Sequence, residues 1–384
     1  MRLALDGRKI DDFGIGTYIQ GLLDGAPRGR ASPRRWSRIS RRAARRRRPP
    51  RRPGARRALW RPMTARAYSV TELWRLALAA RRDRADLYHA PHYVCPPWLP
   101  CPAVVTVHDL IHLRFPVRHR HLLAPLYARV MLRLAVRRAR RLITVSESTR
   151  QDLVERLGAR PERIRVIPNG VERAPSDRPR RPGPPTRRST RSAWRARTSS
   201  SSGTPAPQEP RPAPRRLRRA SPVLGRLVLV GIPPAARATV DGLCAAPGLG
   251  ARVHVLAPVP APILARLYQN ATLVVCPSLW EGFGLAALEA MACGAPVIAA
   301  KRGGLPRSSE TRACLVDPTN VDALREAMYT LAGQEPLRAA LRARGLARAR
   351  AFSWRHVAEA TVAVYREALG PLREWVTDAG RAGP

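Results

Sequence analysis

Glu281 and Glu289 stand eight residues apart, with Gly282, Phe283, Gly284 and Leu285 following the first of them. A glycine at 284 ahead of the apolar run 285–292 reads as a turn that opens a helix. Glu281 then precedes the helix and Glu289 lies about one turn inside it. The first N–H groups of a helix lack carbonyl partners and carry positive partial charge, which suits a diphosphate. A carboxylate at either end of that turn suits the hydroxyls of an activated sugar, one on the hexose and one on the ribose. Two glutamates at this spacing are also what an ordinary solvated helix start would carry.

The flanking elements narrow the choice. Residues 271–277 and 296–300 are short apolar runs, the pattern of buried parallel strands, so the order is strand, glycine loop, helix, strand. That order is half of a nucleotide-binding α/β unit. The same order opens the chain. Residues 3–6 read as a strand, Gly14 and Gly16 as a tight loop, and 18–23 as a helix that Thr17 could cap. Taken alone, Gly14 and Gly16 are a plain turn. Residues 103–107 form a further buried strand with His108 and Asp109 at its carboxyl end, where open α/β sheets present ligand residues, and His112 follows. His89 and His92 close an earlier run in the same way, although a lone histidine is more often structural.

These blocks together resemble the family 4 retaining glycosyltransferases, mannosyltransferase-like members in particular. The fold class implied is α/β, GT-B, with two Rossmann-like domains facing a cleft. In that family the first glutamate contacts the donor sugar, the second the ribose hydroxyls, and the backbone between them meets the diphosphate. The resemblance therefore assigns Glu281 to the sugar, Glu289 to the ribose, and Phe283, Gly284 and Leu285 to donor binding. It brings Gly14 and Gly16 to the donor phosphates and His108, with Asp109, to the reacting sugar. The implied partners are a nucleotide-diphosphate sugar and a glycan or lipid-linked acceptor hydroxyl. No cofactor or metal is expected.

The domain division expected is 1–173 for an N-terminal, acceptor-side domain, 174–222 for a basic low-complexity segment, 223–370 for a donor domain and 371–384 for a tail. Two segments hold most of the net charge of +43. Residues 27–62 carry 16 arginines and no acid, and 173–222 carry 14 arginines against Asp177 and Glu209. Both are mixtures of Arg, Pro, Ala, Ser and Gly without period, so both are expected to be disordered. Where 174–222 stands, the family has the donor domain's first strand and a loop supplying an Arg and a Lys to the diphosphate. The expectation is a donor domain lacking that strand and that basic pair, with transfer weakened; Arg226 and Arg237 come too late to replace them. The chain's only lysines are Lys9 and Lys301. That vocabulary is also what out-of-frame GC-rich codons yield, and 307–312 read the same way.

The competing function is a basic nucleic-acid-binding protein on a relic GT-B scaffold, although aromatic residues for base stacking are scarce in the basic segments. Residues 119–141 read as a basic amphipathic helix, with Arg129, Arg133, Arg137 and Arg141 in one row. It is a packed helix with a solvated face or a contact to an anionic membrane surface. No apolar run is long enough to span a bilayer, and the N-terminus lacks a secretory pattern, so a cytoplasmic protein is expected, with peripheral contact at the inner membrane face through that helix. The six cysteines show no C-x-x-C pair and read as reduced thiols.

Overall fold

The computed structural model describes residues 1–12, 14–26, 35–40, 58–62, 69–114, 124–172, 193–196, 225–232, 234–245, 250–304 and 313–370. The chain divides into two compact units, Met1–Gly170 with Trp354–Pro384, and Val171–Ser353.

The first unit is built on β1 (Arg2–Asp6), α1 (Ile15–Asp24), β2 (Arg35–Ser40), β3 (Ala58–Pro62), α2 (Val70–Arg82), β4 (Leu87–Ala90) and β5 (Ala103–Val107). It continues through α3 (Ile111–Arg114), α4 (Ala124–Arg138), β6 (Arg141–Thr144), α5 (Glu147–Leu157) and β7 (Ile164–Val166). Its seven strands, all paired in parallel, run in the order β3-β2-β1-β4-β5-β6-β7. The direction of winding reverses between β1 and β4, the place where such sheets open a crevice at the strands' carboxyl ends.

The second unit contains β8 (Ala193–Ala196), β9 (Arg226–Val230), α6 (Pro234–Cys244), β10 (Val253–Leu256), α7 (Ala261–Asn270) and β11 (Val274–Cys276). After these come α8 (Leu285–Ala292), β12 (Val297–Ala300), β13 (Cys314–Val316), α9 (Val321–Gly333) and α10 (Glu335–Ala349). The sheet order is β10-β9-β8-β11-β12-β13, again all parallel, with the reversal between β8 and β11.

Four expectations are corrected here. The second sheet does not lack its first strand: Ala193–Ala196 fills that central slot, pairing with β9 on one side and β11 on the other. Backbone pairing can accept a sequence without a β-branched run, such as Ala-Trp-Arg-Ala, because ladder hydrogen bonds come from the main chain whatever the side chain. Residues 27–62 are not wholly without structure either, since they contain β2 and β3, hydrogen-bonded outward from β1. The first helix begins at Ile15 on a Gly14 N-cap, so Thr17 lies inside it. Finally, the closing helix α11 (Trp354–Leu369), expected in the donor domain, packs its apolar face into the first unit's core beside Leu3, Leu5, Tyr18 and Leu22. The tail 371–384 and residues 307–312 lie outside the described residues.

Two close approaches fix that last packing. A Cβ on Gly21 would meet the Trp354 indole at 2.0 Å, and one on Gly25 would meet the Trp354 carbonyl oxygen at 2.1 Å. Both positions let α1 and the start of α11 approach almost backbone to ring. The free cysteines divide into buried Cys95, Cys101 and Cys276 and half-buried Cys244, Cys293 and Cys314.

Candidate functional site

The Glu281–Glu289 run lies immediately after β11, beside the β8–β11 reversal, so the topology brings it to the second unit's natural crevice. Gly284 is the N-cap of α8 in the left-handed conformation (φ 85°, ψ 45°), which glycine adopts without a Cβ clash. The helix it opens carries no side-chain cap, leaving the first N–H groups to whatever lies before them. Ala286, Ala287, Leu288, Ala290 and Met291 are buried, so α8 is anchored almost all round.

Glu281 is buried and accepts a 2.6 Å hydrogen bond from the Ser278 hydroxyl. A hydrogen bond to a charged group contributes about 1.5–3 kcal/mol, enough to hold the carboxylate in one orientation. Its backbone is held from the other side, because the Gly304 N–H donates to the Glu281 carbonyl at 2.8 Å. Glu289, half-buried one turn into the helix, accepts from the Tyr268 hydroxyl of α7 at 3.3 Å. Phe283 is buried edge-on against Phe352, and the Arg348 guanidinium lies 4.5 Å from the Phe352 ring centre. Phe283 thus serves as a packing anchor for the loop as well as part of it.

In the first unit the glycine loop, His108 and Asp109 all lie at the carboxyl ends of the strands. Gly14 caps α1 with φ 70°. Gly16 sits where a Cβ would come within 2.4 Å of the Ile10 carbonyl, so the loop folds tightly on itself. The His108 ring nitrogen Nε2 lies 2.9 Å from the Pro91 carbonyl. A carbonyl only accepts, so Nε2 carries the proton and Nδ1 keeps its lone pair. Burial holds the imidazole below its ordinary pKa, against the Pro91 carbonyl and the Asp109 charge, which favour the protonated form. His108 is thus a neutral ring with an acceptor nitrogen to offer a hydroxyl. The Tyr18 ring meets it edge to face at 4.9 Å.

Asp109 has a more local task, accepting from the Ile111 N–H at 3.1 Å at the start of α3. His112 lies on α3, and its side chain is outside the described residues. His89 and His92 are interior groups. His89 links the Thr106 hydroxyl (2.9 Å) to the Tyr365 hydroxyl (2.7 Å), and burial drives its pKa down to about 3. His92 accepts from the Val94 N–H.

Sequence reasoning missed Ser278, Tyr268 and the backbone clasp from Gly304. Ser278 lies three residues before Glu281 in the same loop and could have been noticed. Tyr268 could not, because nothing in a helix sequence tells which neighbour its hydroxyl meets. The loop after β8, where a basic pair was sought, lies outside the described residues. Among the described residues no cluster of three or more His, Cys, Asp or Glu could hold a metal ion.

Comparison with known proteins bears on the family and the fold. A family model described as Glycosyltransferase Family 4 matches residues 14–174, and one described as Glycosyl transferases group 1 matches 213–334. The D-inositol 3-phosphate glycosyltransferase of Mycobacterium avium (strain 104) is 42% identical over 176 residues, covering 44% of this chain and 41% of that protein. The protein of the same name from Acidothermus cellulolyticus is 34% identical over 263 residues, covering 64% of this chain and 57% of its own length. The chain therefore matches about half of these relatives' length. Among solved structures, sucrose-phosphate synthase from Thermosynechococcus elongatus superposes with TM-score 0.69 at 21% identity, covering 96% of this chain and 98% of that one. Anabaena HepE in complex with UDP-glucose gives TM-score 0.68 at 18% identity, covering 94% and 98%.

Proposed function

This chain belongs to the family 4 glycosyltransferases and has the GT-B fold, and from that premise we propose that it moves a hexose, mannose or a close relative, from a nucleotide-diphosphate donor to an acceptor hydroxyl with retained configuration. The observation that supports this most is the Glu281 carboxylate, oriented by Ser278 at the left-handed start of α8 beside the β8–β11 reversal. Glu281 would hold sugar hydroxyls and Glu289 the ribose. The N–H groups opening α8 at Leu285 would face the diphosphate, where charge develops on the leaving group. His108, neutral with Nδ1 as acceptor, would take a hydrogen bond from a hydroxyl of the sugar or acceptor.

Leaving-group stabilisation is the weaker half. Residues 174–222 contain arginines and no lysine, so the lysine of the family's basic pair has no counterpart there, and transfer should be slow relative to donor binding. The acceptor proposed is a glycan or lipid-linked hydroxyl; the relatives named for inositol 3-phosphate make that compound the first competitor to test. The nucleic-acid reading gains no support from the relatives named above, which are glycosyltransferases.

Calorimetric titration of the full chain with GDP-mannose and UDP-glucose tests the proposal. One donor should bind with a Kd on the order of 1 μM–1 mM, the range usual for enzyme substrates. Glu289→Ala should weaken nucleotide sugar and free nucleoside diphosphate alike, and Glu281→Ala only the former. Absence of heat with every nucleotide sugar, from a folded sample, would overturn it.

A further inference from the structure

Two helices of the first unit expose the same unusual combination. On α2 the outward side chains include Trp74 (58% exposed), Leu78 (65%), Arg75, Arg81 and Arg82. On α4 they include Leu126 (58%), Val130, Arg129, Arg133 and Arg137. Leu126 and Val130 thus share the arginines' face. The helices belong to one surface. Leu73 of α2, Val94 and Met131 of α4 form a single buried cluster beneath it. The Arg138 guanidinium ties α4 to the 97–101 loop through the carbonyls of Pro97, Leu99 and Cys101. From that loop Trp98, itself 52% exposed, stacks on Trp74 with ring centres 4.9 Å apart and planes 19° apart.

We propose that this face, centred on the Trp74–Trp98 pair, docks the first unit onto an anionic lipid surface. Indole rings favour the zone between headgroups and acyl chains, having an apolar body and one N–H for the wet side. Leu78, Leu126 and Val130 supply the apolar area that enters that zone. The arginine rows, Arg129, Arg133 and Arg137 above all, complement phosphate headgroups. The sole acidic residue of α2, Glu72, is buried on Arg8, and α4 has none. A nucleic acid would use the tryptophans and arginines but has no use for three exposed aliphatic side chains. The surface belongs to the first unit and Glu281 and Glu289 to the second, so its lipid binding is read independently of whether the donor site turns over.

Flotation of the full chain with vesicles tests it. The chain should float with phosphatidylcholine–phosphatidylglycerol vesicles and not with phosphatidylcholine alone. Each of the pairs Trp74→Ser/Trp98→Ser and Arg129→Glu/Arg133→Glu should cut the partition on the order of tenfold or more. Brominated lipid should quench tryptophan fluorescence in the parent and not in the Trp74→Ser/Trp98→Ser chain. All these positions are exposed, so melting should stay unchanged. Absence of flotation, or flotation indifferent to the tryptophan pair, would overturn the proposal, the latter assigning binding to bulk arginine charge. So would equally strong, variant-sensitive binding to a single-stranded oligonucleotide.

Discussion

Gly303 lies so close to Glu281 that a Cβ on it would stand 2.4 Å from the Glu281 carbonyl oxygen, and one on Gly304 would stand 2.1 Å from that of Gly282. The turn after β12 is therefore the mould against which the donor loop is set. Both obstructing atoms are backbone, so neither can swing aside. We expect Gly304→Ala to displace the Glu281 loop and weaken donor binding by about 10²-fold, the scale of a misplacement near 1 Å. Calorimetry with a nucleotide sugar measures it, and parent affinity would show that the loop accommodates the shift.

Ser278→Ala should remove the 2.6 Å hydrogen bond that the buried Glu281 carboxylate accepts. The expected loss is about 1–3 kcal/mol of stability, read by urea unfolding, together with reduced discrimination between nucleotide sugar and nucleoside diphosphate. Unchanged discrimination would mean that Glu281 keeps its orientation without Ser278.

Gly21→Ala should destabilise the first unit by roughly 1–3 kcal/mol through overpacking against the Trp354 ring, 2.0 Å from the new methyl. Combining it with Trp354→Leu should cost less than the two separate losses added together, because the smaller side chain removes the clash. Full additivity would place the strain elsewhere.

Arg8 bridges the buried carboxylates of Asp6, at 2.5 Å, and Glu72. Removing it as Arg8→Met should cost about 3–5 kcal/mol, since two buried charges lose their counter-charge. Burial alone would raise the Asp6 pKa, but the Arg8 charge and its hydrogen bonds hold it below the ordinary 3.8. The stability from this pair is present above that value and lost as pH falls through the lower, folded one. An Arg8→Met chain should lose less on acidification below pH 3.8 than the parent.

The buried histidines act earlier in the same titration. His89 is held near 3 against an ordinary 6.5, and His92 is also depressed, in both cases through burial first. The unfolded chain binds protons that the folded one refuses. Stability is therefore full above pH 6.5 and falls below it, by up to about 1.4 kcal/mol per pH unit for each group. His89→Gln should flatten that fall in urea unfolding measured from pH 7 to pH 4.

The sequence made some elements plain and hid others for definite reasons. Strands such as Ala103–Val107 and Val297–Ala300 are buried on both faces and read as unbroken apolar runs. Arg35–Ser40 and Ala193–Ala196 carry no such run, and it is main-chain pairing with neighbours remote in sequence that marks their places. The apolar stripe of Trp354–Leu369 was legible as a stripe. Which of two cores it enters was not, because periodicity records a face and no destination. The glutamate pair stood out through its spacing, while Ser278 and Tyr268 became visible only when the loop and the helix were folded together.

The return of Trp354–Leu369 to the first unit has a temporal consequence. Leu3, Leu5 and Ile19 precede the second unit in the sequence, yet their core is closed by Val357, Tyr365 and Ala368, which follow it. On the ribosome the second unit, Val171–Ser353, emerges complete while the first still waits for its final helix. Of the two units, the one begun earlier is thus the one finished later. A nascent chain stalled before Trp354 would expose the apolar side of α1 to chaperones and proteases.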